Sequence, residues 1–112
     1  MSVDIQTEDR PPFKVLRLSG DVDLHSSPEA REAILACLKQ KSSLLVDLSA
    51  VTYMDSSGVA TLVEGLQFCR GYGGAFRLAG LGETVRQVFR FAKLDTVFEI
   101  YPSAGEARAA RK

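Results

Sequence analysis

The sequence predicts a single α/β domain: a mixed β-sheet that an N-terminal hairpin opens and about four helices pack against. Its 112 residues provide room for one domain, expected to span residues 1–112. Two strand patterns separated by a proline pair begin the chain. Helical and strand patterns then alternate to the C-terminus. Helical crossovers between neighbouring strands make those later strands parallel.

The first part of the chain carries the hairpin and one helix. Apolar and polar residues alternate over residues 3–7, as in a half-buried strand, and the proline pair ends this pattern. A second strand pattern covers residues 13–20. Apolar residues at helical spacing predict helix one over about residues 27–39, and Ser26 with Glu29 fits a capping box at its start.

A buried strand and a second helix form the middle of the chain. The near-continuous apolar run over residues 44–48 is typical of a central strand covered on both faces, and the pattern extends to Met54. A helix follows that strand. Its buried face is predicted to carry the large apolar residues at helical spacing, which are Val59, Leu62, Val63 and Leu66.

The last third of the chain repeats the alternation. Residues 75–79 form a short strand pattern, and an apolar stripe from Val85 to Ala92 predicts helix three. Residues 96–101 are the last strand candidate. An Ala/Arg-rich segment over residues 104–111 predicts a short final helix.

Composition argues against several functional classes. Fourteen Lys and Arg balance fourteen Asp and Glu, so a general electrostatic attraction to nucleic acid or to an anionic membrane is not expected. No apolar run approaches the ~18 residues that a membrane span needs, and the N-terminus lacks the features of a secretory signal. Two cysteines are too few for a disulfide framework, so a reduced, cytoplasmic protein is the expectation.

The sequence lacks residues that a metal site, a hydrolase site and a phosphate-binding loop would each require. His25 is the only histidine, and no Cys stands at ligand spacing from it, so no metal site is predicted. A Ser56 nucleophile would need a nucleophile elbow, but Met54 occupies the position of its first glycine. The glycine-rich segment 71–74 lacks the Lys-Ser/Thr of a P-loop and ends a helix instead of beginning one.

The segment from Met54 to Gly58 is the remaining candidate site. Asp55, Ser56 and Ser57 lie between a buried strand and a helix, where Asp and Ser are preferred caps. A cap needs only one such residue, and sites in open α/β sheets lie at the carboxyl ends of the strands. From the residues alone, a functional site and a structural cap remain equally open.

The segment from Leu45 to Ala60 resembles the signature of STAS domains, specifically of bacterial anti-sigma factor antagonists. Residues 18–23 are similar to the family's segment of strand, glycine and acidic residues. Residues 73–78 and 85–89 are similar to its later glycine, strand and third helix. The resemblance extends over nearly the whole chain.

The resemblance implies partner switching. In that family the unphosphorylated antagonist binds an anti-sigma factor, which is a serine kinase with an ATP pocket, and the sigma factor is released. The kinase then phosphorylates the serine directly after the Asp, which is Ser56 here, and the antagonist dissociates until a serine phosphatase resets it. Nucleotide and magnesium belong to the partner, so the resemblance implies no enzymatic activity, cofactor or metal for this chain.

The same resemblance implies roles for the residues around Ser56. Asp55, Ser57 and Gly58 complete the turn that presents it, and the loop of Asp21 and Asp23 is expected nearby. Asp23 is predicted to orient Ser56 or to meet the partner. A helical wheel places four residues of helix two opposite its apolar stripe, and these are predicted to bind the partner: Ser57, Thr61, Glu64 and Phe68.

Two other functions remain open at this point. STAS domains also serve as subunits of bacterial lipid-transport ABC complexes, in which the domain binds a permease or an ATPase and the serine only caps the helix. The second alternative is that the domain itself binds a small molecule or a nucleotide. The sequence gives it little support, because no cluster of basic residues is present to bind phosphate groups.

Overall fold

The computed structural model describes residues 3–110 and confirms the α/β class. Strands and helices alternate after an opening hairpin, as predicted. The elements in chain order are β1 (Val3–Arg10), β2 (Phe13–Val22), α1 (Ser27–Leu38), β3 (Ser43–Met54), α2 (Ser56–Arg70), β4 (Phe76–Ala79), α3 (Glu83–Phe91), β5 (Glu99–Tyr101) and α4 (Ala104–Ala109).

The strands form one five-stranded sheet in the order β1-β2-β3-β4-β5. β1 and β2 are antiparallel, with Arg10 opposite Phe13 beside the tight turn, which confirms the hairpin. The other neighbouring pairs are parallel. The carboxyl ends of β2 and β3 therefore meet at one edge, where Val22 pairs with Met54.

Helices lie on both faces of the sheet. α1, α2 and α3 cover one face and enclose the main core, in which Leu16, Leu48 and Phe89 are fully buried. α4 packs on the opposite face, where Ala107 joins Phe13 and a few further apolar side chains. β3 is covered from both sides, which explains its continuous apolar run.

Two predicted local structures differ from the observed ones. The last strand begins at Glu99 and not at residue 96, because the backbone N–H groups of Val97 and Phe98 both donate to the Leu94 carbonyl and form a turn. The capping box at α1 is not formed. The Ser26 hydroxyl donates instead to the Asp21 carbonyl at 2.7 Å, which ties the loop to the end of β2.

A buried arginine holds α4 against the sheet, which the sequence pattern does not predict. The Arg77 guanidinium lies between the rings of Phe13 and Tyr101, at 5.0 and 5.5 Å from their centroids. It donates to the carbonyls of Ala107 at 2.6 Å and Ala110 at 3.0 Å. Arg77 thereby pairs carbonyls that the end of a helix otherwise leaves without partners.

Candidate functional site

The turn between β3 and α2 is organised by the Asp55 side chain. Its carboxylate accepts hydrogen bonds from the backbone N–H groups of Ser57 at 2.9 Å and Gly58 at 3.4 Å. The Ser57 hydroxyl donates to the same oxygen at 2.5 Å. The Ser57 hydroxyl, with the backbone donors, holds the pKa of Asp55 below its ordinary value. Asp55 is therefore an ionised helix cap, as its residue type predicts.

The two adjacent serines differ in what their hydroxyls do. Ser57 is half-buried, and its hydroxyl is engaged by Asp55. Ser56 is the first residue of α2 and is exposed, and within residues 3–110 its hydroxyl has no hydrogen-bond partner. Of the two, the hydroxyl of Ser56 is the one available to another molecule.

Gly58 lets the helix approach the end of β2 closely. A Cβ atom at this position would lie 2.7 Å from Cγ of Met54 and 2.8 Å from the carbonyl oxygen of Val22. The Asp55 backbone N–H donates to that same carbonyl at 3.3 Å. A side chain at residue 58 would therefore push α2, and Ser56 with it, away from the sheet.

The acidic loop after β2 lies at the same edge, but its carboxylates are engaged locally. Asp23 accepts from the backbone N–H groups of His25 at 3.0 Å and Ser26 at 3.1 Å. The Ser26 N–H is the main cause of the lowered pKa of Asp23. Asp21 accepts from the Thr52 hydroxyl at 2.9 Å. Neither carboxylate hydrogen-bonds to Ser56, so a direct role of Asp23 in orienting that serine is not seen.

The buried face of α2 differs from the prediction, which corrects one of the proposed docking residues. Thr61 is only 7% exposed, and its hydroxyl donates to the Ser57 carbonyl at 3.1 Å. It cannot line an exposed surface. The helix packs through small residues as well as large ones, so its buried face is rotated by nearly one residue position. The buried residues are Gly58, Val59, Thr61, Leu62, Gly65, Leu66 and Cys69.

Glu64 and Phe68 remain accessible on α2, as predicted. Glu64 forms a bidentate ion pair with Arg31 of α1, with both N···O distances at 2.7 Å. Phe68 is 44% exposed and packs edge-on against Tyr72, with the ring centroids 6.3 Å apart. Phe68 thus has one exposed side and one packed side.

An apolar groove between α2 and α3 begins at Ser56, and the helical wheel did not predict it. Its volume is about 710 Å³. Val59, Ala60 and Val63 line one wall, and Val88 and Phe91 belong to the other. Val63 is half-buried, and it both packs against the main core and lines this groove.

Two further exposed apolar side chains stand near the turn. Leu24, in the loop after β2, is 70% exposed, and Tyr53, two residues before Asp55, is 46% exposed. The Leu24 backbone N–H also contributes to lowering the pKa of Asp55, so its loop lies directly against the cap. Exposed apolar side chains at this edge of the sheet are therefore not confined to the groove.

Neither a metal site nor a membrane span is found in the described part of the chain. Among residues 3–110, no three His, Cys, Asp or Glu side chains are grouped so that they could hold a metal ion. None of the helices in that range is both long enough and apolar enough to cross a bilayer.

The comparison with protein families decides what kind of domain this is. A model of the STAS domain matches residues 4–107. The chain belongs to the STAS domain family. The turn from Asp55 to Gly58 is thus the strand-to-helix turn of a STAS domain, on the segment that carried the resemblance.

Relatives of this STAS domain include named regulators. The anti-sigma-B factor antagonist of Bacillus subtilis is 25% identical over 100 residues, which cover 89% of this chain and 92% of the relative. The crystal structure of an anti-sigma factor antagonist from Mycobacterium paratuberculosis matches with a TM-score of 0.88 and 27% identity, over 95% of this chain and 91% of that one.

A third relative has been solved in two states. The unphosphorylated form of the anti-sigma factor antagonist SpoIIAA matches with a TM-score of 0.80 and 25% identity, over 97% of this chain and all of that one. The phosphorylated form of the Bacillus SpoIIAA matches with a TM-score of 0.74, over 94% of this chain and 96% of that one. The fold of this STAS domain is therefore similar to that of both states.

Proposed function

We propose that this chain is an anti-sigma factor antagonist that switches partners through phosphorylation of Ser56. The unphosphorylated form binds an anti-sigma factor with serine kinase activity and frees the sigma factor. The names of the relatives support the antagonist role. The chain itself supplies the phosphate acceptor, while catalysis, nucleotide and magnesium belong to the kinase, and a separate serine phosphatase reverses the modification.

One observation carries this proposal: Ser56 presents an exposed, unengaged hydroxyl at the end of the apolar groove between α2 and α3. In the transfer, the Ser56 oxygen forms a bond to the γ-phosphorus of ATP held by the kinase. The bond from that phosphorus to the bridging oxygen breaks, ADP leaves, and the hydroxyl proton passes to a base or to water. Ser57 is a poorer acceptor because its hydroxyl is already donated to Asp55.

Phosphorylation would act through charge and leave the fold intact. A phosphoserine carries about −1.5 to −2 charges at pH 7. At the first residue of α2 the helix dipole favours an anion, so the helix tolerates it. A partner bound over the groove would instead bury an unpaired phosphate next to apolar side chains and to Asp55. That cost lowers affinity by roughly a hundredfold or more.

The experiment is phosphorylation of the purified chain by its cognate serine-kinase anti-sigma factor and ATP, followed by phosphopeptide mapping. We expect one phosphate, on Ser56. Ser56→Ala should abolish it and retain partner binding, whereas the matched variant Ser57→Ala should still be phosphorylated. Phosphate on Ser57, or binding that survives phosphorylation, would contradict the proposal. Binding only to an ABC permease or ATPase would favour the transport alternative.

A further inference from the structure

The most exposed large apolar side chain of the described residues is Phe91. It is the last residue of α3 and is 95% exposed. Phe89, two residues earlier on the same helix, is fully buried and stacks edge-on with Phe98. The core is thus complete without Phe91. An exposed phenylalanine forgoes the favourable free energy of burying its ring, which a partner surface would recover.

Phe91 forms a ridge between two hollows. One is the groove of about 710 Å³ that begins at Ser56. The other, of about 440 Å³, lies on the outer side of α3 and is lined by Thr84, Gln87 and Arg90. Val88 and Phe91 line both. A partner with an apolar cavity could accept the Phe91 ring. The rims of that cavity would then fill the two hollows on either side of the ring.

Charged side chains border this ridge, and those that line the hollows are paired. Arg90 lines the outer hollow and pairs with Glu83, and Glu64 lines the groove and pairs with Arg31. Arg90 and Glu83 are 3.5 Å apart and exposed, so their pairing is weak. Lys93 is exposed, and none of the residues from 3 to 110 pairs with its ammonium group. Lys93, two residues after Phe91, is therefore a cation that a carboxylate of a partner could pair with.

We propose that Phe91 is the anchor of the anti-sigma factor interface and inserts into an apolar pocket of the kinase, with a carboxylate of the kinase opposite Lys93. This inference rests on the proposed function, since the groove that Phe91 borders ends at Ser56. Aromatic side chains that fill a partner pocket carry a large share of binding energy, and an unpaired cation beside the contact increases the association rate toward a carboxylate. The hollows favour a shaped protein partner over a flat membrane.

The test compares three variants for binding to the cognate serine-kinase anti-sigma factor in the absence of ATP. Phe91→Ala should raise Kd about thirtyfold or more, with an unchanged melting temperature because the ring touches little of its own chain. Lys93→Glu should slow association, and the loss should shrink at high salt. Val97→Ala, at an exposed apolar side chain that lines neither hollow, is the matched control and should change Kd less than threefold.

The possible outcomes test the Phe91 anchor separately from the proposed phosphorylation of Ser56. If the wild type is bound and phosphorylated on Ser56 while Phe91→Ala binds equally well, the anchor is overturned and the proposed function stands. If the kinase neither binds nor phosphorylates the wild type, both are overturned. Binding of the wild type to phosphatidylglycerol vesicles that Phe91→Ala abolishes, with kinase binding unchanged, would assign the ridge to a membrane and overturn the anchor.

Discussion

The Ser57 hydroxyl donates to the Asp55 carboxylate at 2.5 Å, and this bond separates the roles of two adjacent serines. Ser57 completes the cap of α2, and Ser56 is left exposed at the end of the groove. Asp55 thus begins the helix and also engages the Ser57 hydroxyl. Under the proposed function, this geometry is what would select Ser56 as the phosphate acceptor over a neighbour of identical chemistry.

Removal of the Asp55 carboxylate should destabilise the domain. We expect Asp55→Ala to lower the free energy of unfolding by about 1 kcal/mol at pH 7, since it removes the cap of α2. Urea denaturation monitored by circular dichroism measures this. Asp95→Ala, at an exposed carboxylate, is the control and should cost less than about 0.5 kcal/mol.

The contribution of Asp55 should also depend on pH. Its pKa is lower in the folded chain than in the unfolded one, so its stabilisation is present above the unfolded pKa and is lost as the pH falls through the folded pKa. The difference in stability between wild type and Asp55→Ala should therefore shrink below about pH 4. An unchanged difference down to about pH 2 would show that the cap does not depend on the ionised carboxylate.

Gly58 should not tolerate a side chain. Gly58→Ala places a Cβ 2.7 Å from Cγ of Met54 and 2.8 Å from the Val22 carbonyl oxygen, so we expect a loss of about 1–3 kcal/mol. Gly105→Ala is the matched control, because its nearest neighbour would be 3.9 Å away. That control should be neutral or slightly stabilising, since alanine favours a helix. Equal effects of the two variants would argue against the close approach of α2.

Asp23 should act on its own loop. Asp23→Ala removes the side-chain acceptor for the N–H groups of His25 and Ser26, so those amides should exchange with solvent faster than in the wild type. Hydrogen exchange followed by mass spectrometry measures this. Its predicted role toward the partner remains a prediction. A variant with normal exchange but weaker kinase binding would favour direct contact of Asp23 with the partner.

Arg77 should be required to hold α4 on the sheet. Arg77→Met leaves the carbonyls of Ala107 and Ala110 without their donor and removes the contacts with two aromatic rings. We expect a loss of about 3 kcal/mol and rapid amide exchange confined to α4. The exposed Arg108→Met is the control and should change stability by less than about 0.5 kcal/mol. Exchange spread evenly over the whole domain would contradict a local role.

Local sequence by itself determined the element order and the hairpin, and it limited the cap of α2 to Asp55, Ser56 or Ser57. Each depends on neighbours along the chain. A proline pair ends a strand, and a continuous apolar run indicates a strand that is covered on both faces. An Asp before a helix accepts hydrogen bonds from the free N–H groups of the first turn. The family resemblance could also be read at this level, because it is carried by contiguous residues.

Tertiary structure decided which face of α2 is buried. A wheel weighted by large apolar side chains placed Val63 on the buried face and Thr61 outside, whereas Thr61 is buried and Val63 is only half-buried against the core. The reason is the short distance between α2 and α1. A Cβ atom at Gly65 would lie only 3.0 Å from the Ile34 side chain, so the helices approach each other through small residues. A wheel weighted by hydropathy does not place such residues on the buried face. The close approach of the two helices turns Val63 toward the groove.

The partners of Arg77 and the exposure of Phe91 were also decided only by the fold. Arg77 stands in a short strand and reads as a surface cation, yet the sheet places it between two rings and beneath α4. Helical periodicity already places Phe89, and not Phe91, on the apolar stripe of α3. That Phe91 stays 95% exposed depends on how the other elements pack around α3, which local periodicity does not report.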